Sequence, residues 1–187
     1  MPAPYAACAL RGDPVPPLKR GITRNEREKI MDKLSSNTIV KIGIVARNLE
    51  DVAKRYAEIF DVETPVVHYP DPNKVPAPGA YKRYRGKDYK IALKYAHVNL
   101  NPIYLELLEP WDSTPSPWLD HLNKFGNSIC FLSFYVNGFR HEIDLMESKG
   151  YPQIFEEEKG HERYAYFDTL EKLGIMVELK EQKPLEK

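Results

Sequence analysis

Two glutamates and one lysine of this chain sit where charged side chains are costly. Glu106 lies in the run Tyr104-Leu105-Glu106-Leu107-Leu108-Glu109-Pro110, Glu178 in Met176-Val177-Glu178-Leu179, and Lys41 in Ile39-Val40-Lys41-Ile42-Gly43-Ile44-Val45-Ala46. A charge enclosed by such apolar neighbours must find a partner or reach solvent. If the three converge, two carboxylates beside one ammonium form an acid and base pair, because desolvation and the shared cation push their pKa values apart. The competing reading leaves two solvated glutamates at strand ends and a lysine on a sheet edge.

The elements that must position them form a repeat. The strand at Ile39 to Ala46 and the strand at Ile129-Cys130-Phe131-Leu132-Ser133-Phe134-Tyr135-Val136 align with Lys41 against Phe131, and this also aligns Glu106 with Glu178. A helix follows each opening strand. In the first copy Asn48 caps it, and Leu49, Val52, Ala53, Tyr56 and Phe60 make its apolar stripe; in the second it runs from about Phe139 to Ser148 and ends at Gly150. Three strands complete each copy, near Glu63 to Tyr69, Lys90 to His97 and Ile103 to Leu108, and then near Tyr151 to Phe155, Arg163 to Asp168 and Ile175 to Leu179. The expected fold is therefore α+β, with two tandem βαβββ modules forming curved mixed sheets around a central cavity.

Between these units the chain divides into a Pro-rich N-terminal extension with a short helix (1–37), the first module (38–110), a connector (111–127) and the second module (128–187). A capping box at Thr23 and Glu26 starts the short helix. Residues 70–87 carry four prolines and the run Tyr81-Lys82-Arg83-Tyr84-Arg85, a segment long enough to act as a lid. The connector offers Trp118, Leu119, Leu122 and Phe125 at helical spacing.

Composition narrows the class. Lys plus Arg and Asp plus Glu are equal at 27 each, so no net field recommends nucleic acid or an anionic membrane as partner. The two cysteines, Cys8 and Cys130, occupy unlike contexts and read as reduced thiols, which points to the cytoplasm. No apolar run reaches the length of a membrane span. Open sheet edges call for a homodimer.

The phrases Lys41-Ile42-Gly43-Ile44-Val45-Ala46-Arg47-Asn48-Leu49-Glu50, Leu105-Glu106-Leu107-Leu108-Glu109-Pro110 and Leu173-Gly174-Ile175-Met176-Val177-Glu178-Leu179 resemble the vicinal oxygen chelate (glyoxalase and bleomycin-resistance) superfamily. The nearest branch is the one containing methylmalonyl-CoA epimerase. The resemblance implies a divalent metal held by the first and last strand of each copy, usually through His, Glu or Gln, His and Glu. Here those positions are Lys41, Glu106, Phe131 and Glu178. Both carboxylates are kept and both imidazoles are gone. An ammonium repels a cation and a phenyl ring offers no lone pair, so the expected metal ligands are none and the expected cofactor is none, with a divalent metal as the alternative if His97 or His161 substitutes. The epimerases also supply a catalytic glutamate from the neighbourhood of His68, where this chain offers His68, Tyr69 and Asp71.

The functional expectation is an isomerase, epimerase or racemase that abstracts a proton next to a carbonyl of a small aromatic or coenzyme A-linked ketone without metal. Glu106 and Glu178 would be acid and base and Lys41 the enolate stabiliser. Phe131, His97, Tyr164, Tyr166 and His68 are the candidate substrate contacts, since an apolar pocket suits a ring. The alternatives are a metal-free protein that binds a drug or aromatic ligand, and a metal-dependent lyase or dioxygenase.

Overall fold

The structure, a computed structural model, describes residues 33–182. Cys8, the Pro-rich leader and the capping-box helix at Thr23 lie outside the described residues. Each copy opens on a largely apolar strand, the β-branched β1 (Ile39–Val45) and the aromatic-rich β6 (Ser128–Tyr135). Each then forms a helix, α1 (Leu49–Phe60) or α3 (Phe139–Ser148). In the first copy the chain continues through β2 (Tyr81–Tyr84), β3 (Lys87–Asp88), β4 (Leu93–Leu100) and β5 (Ile103–Pro110) to the connector helix α2 (Pro117–Phe125). The second copy ends with β7 (Gln153–Glu158), β8 (Glu162–Phe167), the short α4 (Leu170–Leu173) and β9 (Met176–Gln182).

Among the described residues the nine strands form one mixed sheet in the order β3-β2-β7-β8-β9-β6-β1-β5-β4. The copies meet inside a single chain, where β1 runs antiparallel to β6 with Lys41 opposite Ser133, Ile42 opposite Leu132 and Gly43 opposite Phe131. In each copy the opening and closing strands run parallel, Lys41 beside Tyr104 and Gly43 beside Glu106, Phe131 beside Met176 and Ser133 beside Glu178. The two registers coincide when Lys41 is placed on Phe131, which is the alignment read from the sequence.

Alternation sorts the side chains onto two faces. On the helix face, Leu49 and Ala53 of α1 pack against Ile44, Ala46, Ala96, Val98 and Leu107, and Phe139, Ile143 and Met146 of α3 pack against Ala165, Phe167, Val177 and Leu179. A third cluster forms from Val45, Leu108, Trp118, Leu122, Phe131, Phe155, Tyr164, Tyr166 and Met176, so α2 serves both copies. Ser116 caps α2 by accepting from the Leu119 amide at 3.1 Å, and Pro117 follows in the first turn.

Three local expectations are corrected. Asn48 has a left-handed backbone (φ 57) and makes no side-chain cap. Glu109 caps α1 in its place, accepting from the amides of Asn48 at 2.9 Å and Leu49 at 3.2 Å, and Glu181 does the same for α3 at Gly138 (2.9 Å) and Phe139 (3.0 Å). A full negative charge at the helix N-terminus answers the macrodipole as well as the free amides. Each closing strand thus carries Glu-x-x-Glu, and a spacing of three on a strand sends the two carboxylates to opposite faces.

The expected strand near Glu63 to Tyr69 shrinks to one bridge, His68 with Tyr95, closed by hydrogen bonds of 2.8 and 3.1 Å. Pro65 and Pro70 flank it, and a residue without an amide proton cannot extend a ladder. The segment expected as a lid instead folds into the β2–β3 hairpin, and β2 pairs antiparallel with β7, Tyr81 opposite Glu158 and Tyr84 opposite Phe155. Among the described residues no helix is long and apolar enough to cross a membrane.

Candidate functional site

The central strands β1 and β6 and the closing strands β5 and β9 bring the predicted charges together. Lys41 Nζ lies 2.7 Å from Glu106 Oε2 and 3.2 Å from Glu178 Oε1. Lys41 and Glu178 are buried, at 3% and 0% exposure. The lysine therefore resolves its cost inside the sheet and not at an edge. Its ammonium also stands 5.3 Å from the ring centres of both Phe131 and Tyr164, a further source of stabilisation for a desolvated cation.

Each carboxylate has a direct cross-strand neighbour, and these two differ. Glu106 on β5 faces His97 on β4, and Glu178 on β9 faces Tyr166 on β8. The Tyr166 hydroxyl donates to Glu178 Oε2 and the Ser133 hydroxyl donates to its Oε1. Glu106 Oε1 instead meets His97 Nε2 at 3.5 Å, with the imidazole largely open to solvent. One carboxylate is sealed among hydroxyls; the other has one oxygen on the lysine and one toward an exposed histidine.

The electrostatics follow from this difference. Burial would raise the pKa of Glu106, but Lys41 and the His97 hydrogen bond outweigh it and hold the carboxyl down at about 2. For Glu178 burial wins over Lys41, and the nearby Glu106 charge adds to it, so its pKa rises. Burial alone would lower the Lys41 pKa, but the charges of Glu178 and Glu106 more than offset it and the group stays an ammonium. Burial, then Glu178, push the Tyr166 hydroxyl well above its usual range, so it remains a donor. The cluster is thus an ammonium between two carboxyl groups of unequal acidity, Glu106 held down by Lys41 and Glu178 pushed up by burial.

Phe131 is fully buried, and its ring lies over Gly43 so closely that a Cβ at Gly43 would stand 1.9 Å from Phe131 Cε1. A glycine is required there by the approach of the ring. Phe131, Tyr164, Tyr166 and His97 all reach the cluster. His68 reaches it only through a relay of rings: it stacks on Tyr95 at 4.7 Å, Tyr95 meets His97 at 5.5 Å, and His97 meets Tyr104 at 5.1 Å. His161 is placed elsewhere, beside Glu162 at 3.7 Å. Sequence reasoning missed Ser133 and Gly43, and the signal lay in the register, since both stand two residues beyond the aligned pair Lys41 and Phe131. Cys130 sits at a bulge where the β1–β6 register shifts, and burial pushes its thiol pKa far up, which makes it inert.

A divalent ion does not fit these residues as placed. Both carboxylates direct oxygens at the Lys41 ammonium, Phe131 contributes no donor, and His97 is the one imidazole beside them among the described residues.

A family model described as the Glyoxalase/Bleomycin resistance protein/Dioxygenase superfamily matches residues 41–167. No curated protein matches the chain. Among solved structures, a hypothetical protein from Bacillus halodurans C-125 is similar with a TM-score of 0.54 at 20% identity, covering 81% of this chain and 99% of that one. Methylmalonyl-CoA epimerase from Mycobacterium tuberculosis gives 0.54 at 16% identity, covering 82% and 95%. The Streptomyces coelicolor methylmalonyl-CoA epimerase in complex with 2-nitronate-propionyl-CoA gives 0.53 at 18% identity, covering 83% and 99%. At these identities the likeness is one of fold.

Proposed function

The chain belongs to the glyoxalase/bleomycin resistance protein/dioxygenase superfamily, and on that premise we propose that it is an isomerase of the epimerase type, moving a proton on the carbon beside a carbonyl without a metal. The observation that carries this reading is the asymmetric pair of carboxylates around one ammonium. Glu106 is the base. It is ionised, and its Oε1 lies on the accessible side, where His97 Nε2 at 3.5 Å stands to exchange the proton with solvent.

Charge balance supplies the stabilisation of the intermediate. At rest Glu106 is the more acidic carboxyl and pairs with Lys41 at 2.7 Å, while burial makes Glu178 the weaker acid of the two. When Glu106 takes the substrate proton, the Lys41 charge is left uncompensated close to the newly formed enolate. A preorganised cation in a desolvated setting favours the enolate over the ketone. The sealed position of Lys41 makes this a field effect, not a contact. Glu106 is a weak base in this environment, so the carbon it serves must be acidified by its carbonyl and a second withdrawing group. An acyl thioester of coenzyme A whose α-carbon also bears a carboxyl or acyl group meets that demand, as does a cyclic or aryl ketone with a second carbonyl on the same carbon, and the ring ladder from His68 to Tyr104 offers flat surfaces to either.

A single-enantiomer panel of α-substituted acyl thioesters and aryl ketones tests the reading. The wild type should racemise one class, with a rate lowered at least about a hundredfold by Glu106→Gln. Full retention of configuration across the panel by the wild type would remove the proposal. One observation favours a second reading: Phe131 and Glu178 are fully buried, so a protein that holds a ligand on the outer rings without turning it over is also consistent with the site. In that case an aromatic ligand binds, is recovered unchanged, and binds equally well to Glu106→Gln.

A further inference from the structure

A hollow lined by no residue of the Lys41 cluster lies where the two segments that break the repeat meet. In the second copy the chain passes directly from α3 to β7, whereas in the first copy the β2–β3 hairpin intervenes before β4. The connector that carries α2 likewise has no counterpart after the second copy within the described residues. Neither segment is needed to complete a βαβββ unit. They converge on a hollow of about 350 Å³ lined by Tyr84, Arg85, Lys87, Tyr89, Pro115 and Asp120.

Its walls carry two cations, of which one is anchored to the core. Arg85 and Gly86 form the two-residue turn of the hairpin, with φ of 48° and 77°. Such a turn prefers Asn or Asp followed by Gly, and an arginine in the left-handed region is unfavourable by about 1 kcal/mol. Its side chain is nevertheless fixed: Nε donates to the Tyr84 hydroxyl at 2.9 Å, and that hydroxyl donates to Asp120 Oδ2 at 2.7 Å. Tyr84 itself is buried at 4% exposure, so the anchor is part of the core. The outer guanidinium nitrogen is 3.7 Å from Asp120, too long for a hydrogen bond, and it keeps donors for another acceptor. Lys87 on the next residue but one has no ion pair among the described residues. Arg85 and Lys87 outnumber Asp120, so the lining is net positive. Tyr89 adds an aromatic wall.

We infer that this hollow is a binding site for a planar ring carrying a phosphate, of about the size of a mononucleotide. Arg85 and Lys87 would take the phosphate through charge-assisted hydrogen bonds, and Tyr89 would stack on the ring. The volume is at the small end of ordinary ligand sites, which suits one ring and one anion. The site does not depend on the proton-transfer chemistry at Glu106, and either can fail alone.

Titration calorimetry of the full chain with adenosine monophosphate, adenosine and inorganic phosphate tests the inference. The monophosphate should bind at least about tenfold more tightly than adenosine or phosphate alone, and more weakly as salt is raised. Arg85→Asn, which keeps a residue that tolerates the turn, and Lys87→Gln should each weaken it about fivefold. Tyr89→Ala should weaken the monophosphate but not phosphate, and Asp120→Asn should tighten both. The inference is overturned if the wild type binds no monophosphate at about 5 mM, if Arg85→Asn and Lys87→Gln bind it as the wild type does, or if phosphate alone binds equally well. Circular dichroism and unchanged unfolding of Arg85→Asn establish that any loss is at the site and not in the hairpin.

Discussion

Replacing Lys41 by methionine removes the one cation shared by the buried Glu178 and the partly buried Glu106, and the geometry sets the size of the effect. At an effective dielectric of about 20, unit charges 2.7 Å apart attract by about 6 kcal/mol, and desolvation of the ammonium offsets part of that. Truncating one member of a buried pair leaves the other uncompensated, so Lys41→Met should cost about 3–5 kcal/mol of stability at neutral pH. Glu178→Gln should cost less than Lys41→Met, because burial already disfavours the ionised form of Glu178 and the amide oxygen still accepts from Ser133 or Tyr166. The pH dependence adds a second check. Without Lys41, Glu106 is a buried carboxyl with a raised pKa, whose contribution is complete below about 4.5 and lost as pH rises. The Lys41→Met deficit should therefore be smaller near pH 4 than at pH 7. Urea unfolding followed by the fluorescence of buried Trp118 measures all of this. A Lys41→Met cost below about 1 kcal/mol, or a larger cost for Glu178→Gln than for Lys41→Met, refutes the assigned charges.

Glu106 is depressed from 4.5 to about 2, so the stability it contributes is fully present above about 4.5 and is lost as pH falls through about 2. That limb is worth about 3 kcal/mol, and acid titration of unfolding should find it flattened in Glu106→Gln. Acid titration followed by infrared spectroscopy should find one carboxyl that takes up its proton above the ordinary carboxylate range, a transition lost in Glu178→Gln and kept in Glu106→Gln; its absence from the wild type contradicts the raised pKa of Glu178. Gly43→Ala should destabilise by about 2–3 kcal/mol, since the new methyl group collides with the Phe131 ring. Phe131→Leu in the same chain should recover part of that loss, a non-additivity that independent sites would not show.

The residues that were legible in the sequence are those whose chemistry conflicts with their surroundings. Lys41, Glu106 and Glu178 stand out because a charge within an apolar strand needs a partner, and the repeat told which partners share a register. What remained hidden depends on cross-strand neighbours. Glu109 and Glu181 cap helices from strands far away in sequence, which no local pattern at Asn48 or Gly138 reveals. The hydroxyls that seal Glu178 and the histidine that opens Glu106 are set by the pairing of β8 with β9 and β4 with β5, so the two glutamates look alike in sequence and differ in the fold. The strand expected before Pro70 was overestimated because its apolar run, Val66 and Val67, sits between prolines that end a ladder. The hairpin at Tyr81 to Asp88, overlapping the 70–87 segment that reads as a lid, is not legible locally because its partner, β7, lies in the other copy.

The central claim is that Glu106 exchanges a proton with the carbon beside a carbonyl while Lys41 balances the charge. Incorporation of deuterium from heavy water at that carbon measures it directly, with an α-substituted acyl thioester or an aryl ketone and the products read by mass. The wild type should incorporate one deuterium per exchangeable position, Lys41→Met should slow it at least about a hundredfold, and Glu106→Gln should abolish it. Exchange by Glu106→Gln at the wild-type rate, or recovery of bound ligand without deuterium from the wild type, would contradict the account.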